Sequence, residues 1–130
     1  MSLVNLTKCF IYIVRDPRSV LISSMSHYGI NNQEDAKNHI ISDKRLTYAN
    51  TSNRLPEFLL SWKSNFITWQ NFYIKNPDIG MIVRYEDLVL NKKDIFLKIL
   101  NFILKKLNFK IDLVKFENSL NSIDFKKLQE

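Results

Sequence analysis

Two short apolar runs interrupt the mixed hydrophobic and polar pattern of the chain. They cover residues 9–14 and 80–84, and both contain β-branched residues in high proportion. Short runs of this kind predict strands that are covered on both faces, as in parallel sheets. A helical crossover between the two runs implies parallel pairing. We therefore expect a small parallel sheet of about two strands.

Helical spacing of apolar residues fills most of the remaining chain, which predicts a mostly helical α/β fold in a single domain over residues 1–130. The first helix should begin after the cap residue Asp16 and stop at Gly29. Residues 29–54 are polar and predict a loop, apart from a short helix over residues 33–41. The other predicted helices cover residues 56–75, 91–107 and 112–120.

Aromatic residues recur every three or four positions along the predicted helix over residues 56–75. This spacing places them on one face, and its first interpretation is core packing rather than a cofactor site. The residues of this stripe are Phe58, Trp62, Phe66, Trp69 and Tyr73.

The junction between the first strand and the first helix is the best candidate for a binding site. Arg15 ends the strand, and Asp16 and Pro17 open the helix. The free N–H groups of a helix N-terminus attract anions, and Arg15 adds a charge there. Ser23 lies two turns on and shares a helix face with His27, which we interpret as hydrogen-bonded rather than catalytic. The same junction is also compatible with a purely structural role, with Arg15 paired to a carboxylate.

Composition excludes several classes of protein. The single Cys9 excludes an intramolecular disulfide, and no apolar run approaches the length of a membrane span, so the expected location is the cytoplasm. The formal net charge of +6 permits binding to nucleic acid, but the basic residues are interleaved with thirteen acidic ones. Solvated helix faces explain this pattern better than a nucleic-acid site. No spacing typical of metal ligands occurs, and no metal is expected.

At the strand–helix junction the chain resembles the sulfotransferases that use 3′-phosphoadenosine-5′-phosphosulfate (PAPS). The matching residues of their 3′-phosphate-binding segment are Arg15, Asp16, Pro17, Arg18 and Ser23. The resemblance implies that Arg15 and Ser23 hold the 3′-phosphate of the nucleotide. It covers the chain from about Lys8 to the C-terminus.

Further blocks follow in the order found in that family. Trp62, Trp69 and Asn71 resemble its Trp-rich helix, and the block Val-Arg-Tyr-Glu-Asp-Leu over residues 83–88 resembles the one whose Tyr lies near the adenine. That residue is Tyr85 here. Phe125 resembles an aromatic residue that stacks on the adenine, although a simple packing role fits it equally well.

The resemblance implies a P-loop-like sulfotransferase fold and transfer of a sulfuryl group from PAPS to a hydroxyl or amine. The partners would be the nucleotide cosubstrate and an unknown small-molecule or carbohydrate acceptor. The implied nucleotide-binding residues are Arg15, Ser23, Tyr85 and Phe125.

Some parts of the family pattern have no counterpart here, namely the phosphosulfate loop, the general base and the C-terminal clamp on the 3′-phosphate. Catalytic residues therefore remain unassigned, and we expect a truncated domain that is inactive by itself. Unpaired strand edges would favour a homo-oligomer. Two alternatives stay open, a non-catalytic nucleotide- or phosphate-binding module and a basic nucleic-acid-binding protein.

Overall fold

A computed structural model of the chain describes residues 7–47, 57–107, 110 and 112–122. Within these ranges helices predominate over strands. In chain order the elements are β1 (Phe10–Val14), α1 (Pro17–Tyr28), α2 (Gln33–Ile41), β2 (Arg45–Thr47), β3 (Glu57–Leu59), α3 (Trp62–Lys75), β4 (Gly80–Arg84), α4 (Tyr85–Leu90), α5 (Lys92–Leu107) and α6 (Leu113–Ser122).

The chain divides into two compact units. The first unit comprises Met1–Val14 and Lys75–Glu130, and the second comprises Arg15–Ile74. Among the described elements, the first unit therefore contains β1, β4 and α4–α6. The second contains α1–α3, β2 and β3.

The first unit is built on a parallel pair of strands. β1 pairs with β4 in a register that runs from Phe10 opposite Gly80 to Val14 opposite Arg84. This confirms the predicted two-stranded parallel sheet.

The core of the first unit joins that sheet to the helices that follow it. It contains the buried residues Val83, Leu88 and Ile99. Ile95 and Ile103 pack against it from either side of Ile99, because residues four apart lie on one helix face. One apolar face of α5 therefore packs on the sheet. In α6, Leu120 is also buried.

Local signals explain the limits of α1 and α2. Asp16 caps α1 by accepting a hydrogen bond from the Arg18 N–H, and Pro17 occupies the first turn. Gly29 ends the helix with φ 64, a left-handed conformation that glycine adopts without steric cost. Asn32 caps α2 and accepts from the Asp35 N–H at 2.8 Å. The predicted limits of both helices are confirmed.

The predicted helix over residues 56–75 was wrong at its start. Glu57–Leu59 instead forms β3, which pairs antiparallel with β2 in a segment that we expected to be loop. The pairing between distant residues overrides the local helix signal. The helix begins at Trp62, after Ser61, whose hydroxyl oxygen accepts a hydrogen bond from the Ser64 N–H at 3.1 Å. Ser61 is therefore the helix cap.

The structure adds detail on two other helices, α4 and α6. Tyr85–Leu90 forms α4, a short helix that the sequence analysis did not predict. Asp112 caps α6, as expected, by accepting hydrogen bonds from the Val114 and Lys115 N–H groups. The structure is thus α/β and mostly helical, as predicted. Within the described residues, no helix combines the length and the apolar character needed to cross a membrane.

Candidate functional site

The strand–helix junction carries a paired acid and base at its surface. The Asp16 carboxylate accepts from the Arg18 N–H at 2.8 Å, from Arg18 Nε at 3.0 Å and from Arg18 Nη2 at 2.7 Å. These hydrogen bonds, with the side-chain contact the strongest, lower the pKa of Asp16 to about 2. The Arg18 N–H is therefore engaged by the cap residue Asp16 and is not open to an anion.

A shallow cavity of about 140 Å³ lies along the exposed face of α1. Ser23 and His27 are one turn apart and both line it, as the helical spacing predicted. A volume of this size leaves room for a tetrahedral oxyanion such as a phosphate group. The lining residues are Arg15, Val20, Ser23, Ser24, His27 and Tyr28.

The two adjacent serines of this cavity differ in what they can offer a ligand. Ser24 is buried, and its hydroxyl donates to the Val20 carbonyl oxygen at 2.7 Å. Ser23 is exposed, and its side chain makes no hydrogen bond in the part of the chain that the structure describes. The Ser23 hydroxyl can therefore contact a ligand without breaking an existing hydrogen bond.

The backbone at Arg15 is held from the start of α3. The indole Nε1–H of Trp62 donates to the Arg15 carbonyl oxygen at 2.9 Å. The Trp62 ring stacks on Phe66, with centroids 5.5 Å apart and an interplanar angle of 12°. The aromatic stripe predicted packing for Trp62 but gave no signal for this hydrogen bond, because its two partners are 47 residues apart.

The start of α3 is itself anchored. The Ser61 N–H donates to Asp43 Oδ1 at 2.9 Å, and Ser61 is only 3% exposed. Hydrogen bonds from the side chains of Ser61 and Ser64 hold the pKa of Asp43 below its ordinary value. Asp43 therefore remains an anionic acceptor for the cap of α3 near neutral pH.

A second group of polar residues adjoins the cavity through Tyr28. The centroid of the Tyr28 ring lies 4.4 Å from the centroid of the His39 ring. Burial, and secondarily the charge of Arg45, lower the pKa of His39, which favours the neutral imidazole. Burial also lowers the pKa of Arg45, whose Nε and Nη1 are closed to solvent and have no hydrogen-bond partner among the described residues. No pattern in the sequence indicates a functional role for His39 or Arg45.

Tyr85 and Phe125, the other two residues implied by the resemblance, are not described as part of this cavity. Tyr85 is half-buried in the first unit and is the first residue of α4, directly after β4. The neighbouring Glu86 carboxylate lies 3.8 Å from Arg84 Nε. Phe125 lies outside the described residues.

A cleft in the described part of the first unit has a structural explanation. It measures about 250 Å³ and lies between α5 and α6. The Lys92 ammonium donates to the Leu120 carbonyl oxygen, and Lys93 Nζ lies 2.7 Å from the Glu117 carboxylate. Both lysines therefore fasten α6 to the start of α5.

Two further ion pairs lie on the described surface. Lys37 pairs with Glu34 and Lys115 pairs with Asp112, each three residues apart on a helix. Such pairs fit the solvated helix faces expected from the sequence. Among the described residues, no group of three or more His, Cys, Asp or Glu side chains is placed to hold a metal ion.

Together these features define an α/β protein with a candidate oxyanion site at the junction of a strand and a helix. The model of the sulfotransferase domain family matches residues 2–130. Because this match spans almost the whole chain, the protein belongs to the sulfotransferase domain family. The resemblance noted in the sequence is thereby confirmed for the family. No curated protein and no solved structure gives a match.

Proposed function

We propose that this sulfotransferase-family chain binds PAPS and holds the 3′-phosphate in the cavity on α1. The observation that carries the proposal is that Arg15 and Ser23 line one cavity of about 140 Å³. A phosphate there would accept hydrogen bonds from a guanidinium and a hydroxyl. Charge-assisted hydrogen bonds of this kind contribute roughly 1.5–3 kcal/mol each.

The charges near the cavity suit this ligand. Asp16 would oppose an anion, but Arg18 neutralises it through a direct ion pair of 2.7 Å. The Ser23 hydroxyl adds a neutral donor that is not engaged elsewhere among the described residues. Tyr85 and Phe125 enter the proposal as adenine contacts on the strength of the family resemblance alone.

The reaction in the intact enzyme would move a sulfuryl group from PAPS to a hydroxyl or amine of the acceptor. Arg15 and Ser23 would not contact the reacting atoms. They would bind a remote part of the cosubstrate, and such remote binding energy helps to position the reacting group. The 130-residue chain by itself should bind the nucleotide without measurable turnover, since the phosphosulfate loop and general base of the family have no counterpart among its residues. Incubation with labelled PAPS and a panel of phenols, alcohols and sugars tests this, and turnover well above background would contradict it.

The decisive experiment compares adenosine 3′,5′-bisphosphate with adenosine 5′-monophosphate, titrated into the protein at low salt by NMR or calorimetry. We expect high-micromolar to millimolar affinity, about −4 to −6 kcal/mol, with a preference for the bisphosphate. Arg15→Ala should abolish that preference, because it removes the charged donor.

Lys63→Ala is the matched control for Arg15→Ala. It removes one positive charge from an exposed side chain of the same unit that does not line the cavity. It should leave most of the preference intact. Equal binding of the two nucleotides by the unmodified protein, or an unchanged preference in Arg15→Ala, would refute the proposal.

Ser23→Ala should reduce the preference by less than Arg15→Ala, because a hydroxyl carries no charge. Ser26→Ala is its control, since Ser26 is an exposed serine of the same helix that does not line the cavity. If the preference for the bisphosphate is the same in Ser23→Ala as in Ser26→Ala, Ser23 has no part in the site.

A further inference from the structure

We infer that Trp62 is a positioning residue, which orients Arg15 for the 3′-phosphate through the hydrogen bond from its indole N–H. The inference rests on the proposed function of Arg15 and adds a residue outside the cavity lining. Its basis is the 2.9 Å contact between Trp62 Nε1 and the Arg15 carbonyl oxygen.

This carbonyl lies where a hydrogen bond can affect the direction of the Arg15 side chain. Arg15 stands between β1 and α1, where the backbone leaves the strand and turns into the cap residue Asp16. Rotation about ψ moves the carbonyl oxygen of a residue, because the peptide group is planar. A donor that holds this oxygen in place therefore also restricts ψ. With ψ of Arg15 restricted, its Cα–Cβ bond takes a defined direction relative to α1. The guanidinium therefore needs to search fewer conformations to reach an anion near Ser23.

The donor is itself held in place. The Trp62 ring stacks on Phe66 one turn further along α3. Its neighbour Ser61 is buried and caps the helix, and the Ser61 N–H donates to Asp43. A donor on such an anchored helix start can fix its acceptor, whereas a donor on a mobile side chain would move with it. Preorganisation of this kind increases binding by lowering the conformational cost of ordering the site.

A packing role for the Trp62 ring makes a different prediction from a positioning role. If only packing matters, replacements that preserve the aromatic ring system should preserve nucleotide preference. If the N–H matters, its removal should reduce the preference even where the fold is intact. The test must therefore remove the N–H with as little change in shape as possible.

The experiment replaces Trp62 in the full chain with the tryptophan analogue that has sulfur in place of the indole N–H, and in parallel makes Trp62→Phe. The bisphosphate-over-monophosphate preference should fall roughly fivefold in both, about the loss of one ordinary hydrogen bond. The Arg15 carbonyl carbon signal in NMR, recorded without nucleotide, should shift in both variants. Thermal unfolding checks that the proteins remain folded.

Trp69→Phe supplies the matched control, because it makes the same change on the same helix at a residue that is not hydrogen-bonded to the Arg15 carbonyl. It should leave the preference and the Arg15 signal unchanged. If the sulfur analogue keeps the full preference, or leaves the Arg15 carbonyl signal unmoved, the inference is overturned. If the unmodified protein shows no preference for the bisphosphate, the proposed function fails. In that case the Arg15 signal, which needs no nucleotide, still decides whether Trp62 orients Arg15.

Discussion

The two units of the chain bury different kinds of residue. In the described part of the first unit, the buried side chains are aliphatic, namely Val83, Leu88, Ile99 and Leu120. In the described part of the second unit, they are Ser24, Ala36 and Ser61. The first unit thus depends on apolar burial, which is strong and non-directional. The second unit depends far more on hydrogen bonds, which are weaker and directional.

This difference explains why the candidate site lies in the second unit. A phosphate-binding site needs polar groups at defined angles, and hydrogen bonds such as Trp62 to Arg15 and Ser61 to Asp43 impose those angles. Apolar packing in the first unit stabilises the parallel sheet instead. We therefore expect substitutions in the first unit to lower the free energy of unfolding most, and those in the second to change binding most.

The largest effect should come from Ile99→Ala in the core of the first unit. Ile99 is 8% exposed and packs with Val83 and Leu88. Its truncation removes apolar contacts and leaves a cavity, so the free energy of unfolding should fall by about 2–5 kcal/mol. Urea denaturation followed by circular dichroism measures this.

Leu90→Ala is the control for the core substitution, since Leu90 belongs to the same unit and is 78% exposed. It should change stability by less than about 0.5 kcal/mol. The comparison fails if the two variants are equally destabilised. It also fails if the Ile99 variant, while still folded, loses the nucleotide preference.

A change of opposite sign is expected at Arg45 in the second unit. Its Nε and Nη1 are closed to solvent and have no hydrogen-bond partner in the described part of the chain, and a buried unsatisfied donor costs free energy. Arg45→Met keeps the apolar stem and removes these donors, so it should raise the free energy of unfolding by about 1 kcal/mol. Thermal and urea unfolding both test the sign. Arg18→Met is the control, because the exposed Arg18 side chain should matter little to stability. A loss of stability in Arg45→Met would mean that the guanidinium has a favourable partner.

The parts of the fold that the sequence predicted are those with local signals. Asp16 and Gly29 limit α1 through caps that act within a few residues. The two parallel strands were predicted from their short apolar runs. The cavity face was predictable too, because Ser23 and His27 are four residues apart on one helix.

The parts that the sequence did not predict depend on contacts between distant residues. β2 and β3 are three residues each, too short to show a period, and each has its strand partner in the other. The Trp62 contact to Arg15 spans 47 positions and involves a backbone carbonyl, which no residue pattern encodes. The lack of partners for Arg45 is likewise a result of tertiary packing.

The smallest effect concerns pH and the two exposed carboxylates whose pKa is lowered by a basic partner. Asp16 in the second unit has its pKa lowered from 3.8 to about 2, chiefly by the hydrogen bond from the Arg18 side chain. In the first unit, a hydrogen bond from Lys93 lowers the pKa of Glu117. A lowered pKa in the folded state means that folding favours the ionised carboxylate. The contribution of Asp16 is therefore complete above pH 3.8 and is lost as pH falls towards about 2.

Asp16→Asn separates the charge of this residue from its capping oxygen. The variant should be slightly less stable than the unmodified protein at pH 6, and the difference should shrink as pH falls from about 4 to about 2, where the carboxylate of Asp16 takes up its proton. Glu117→Gln should give a difference of the same sign in the first unit, and both differences should be smaller in high salt because the pairs are exposed. Stability measured by urea denaturation at each pH provides the test. A difference for Asp16→Asn that grows on acidification would show that folding raises, rather than lowers, the pKa of Asp16.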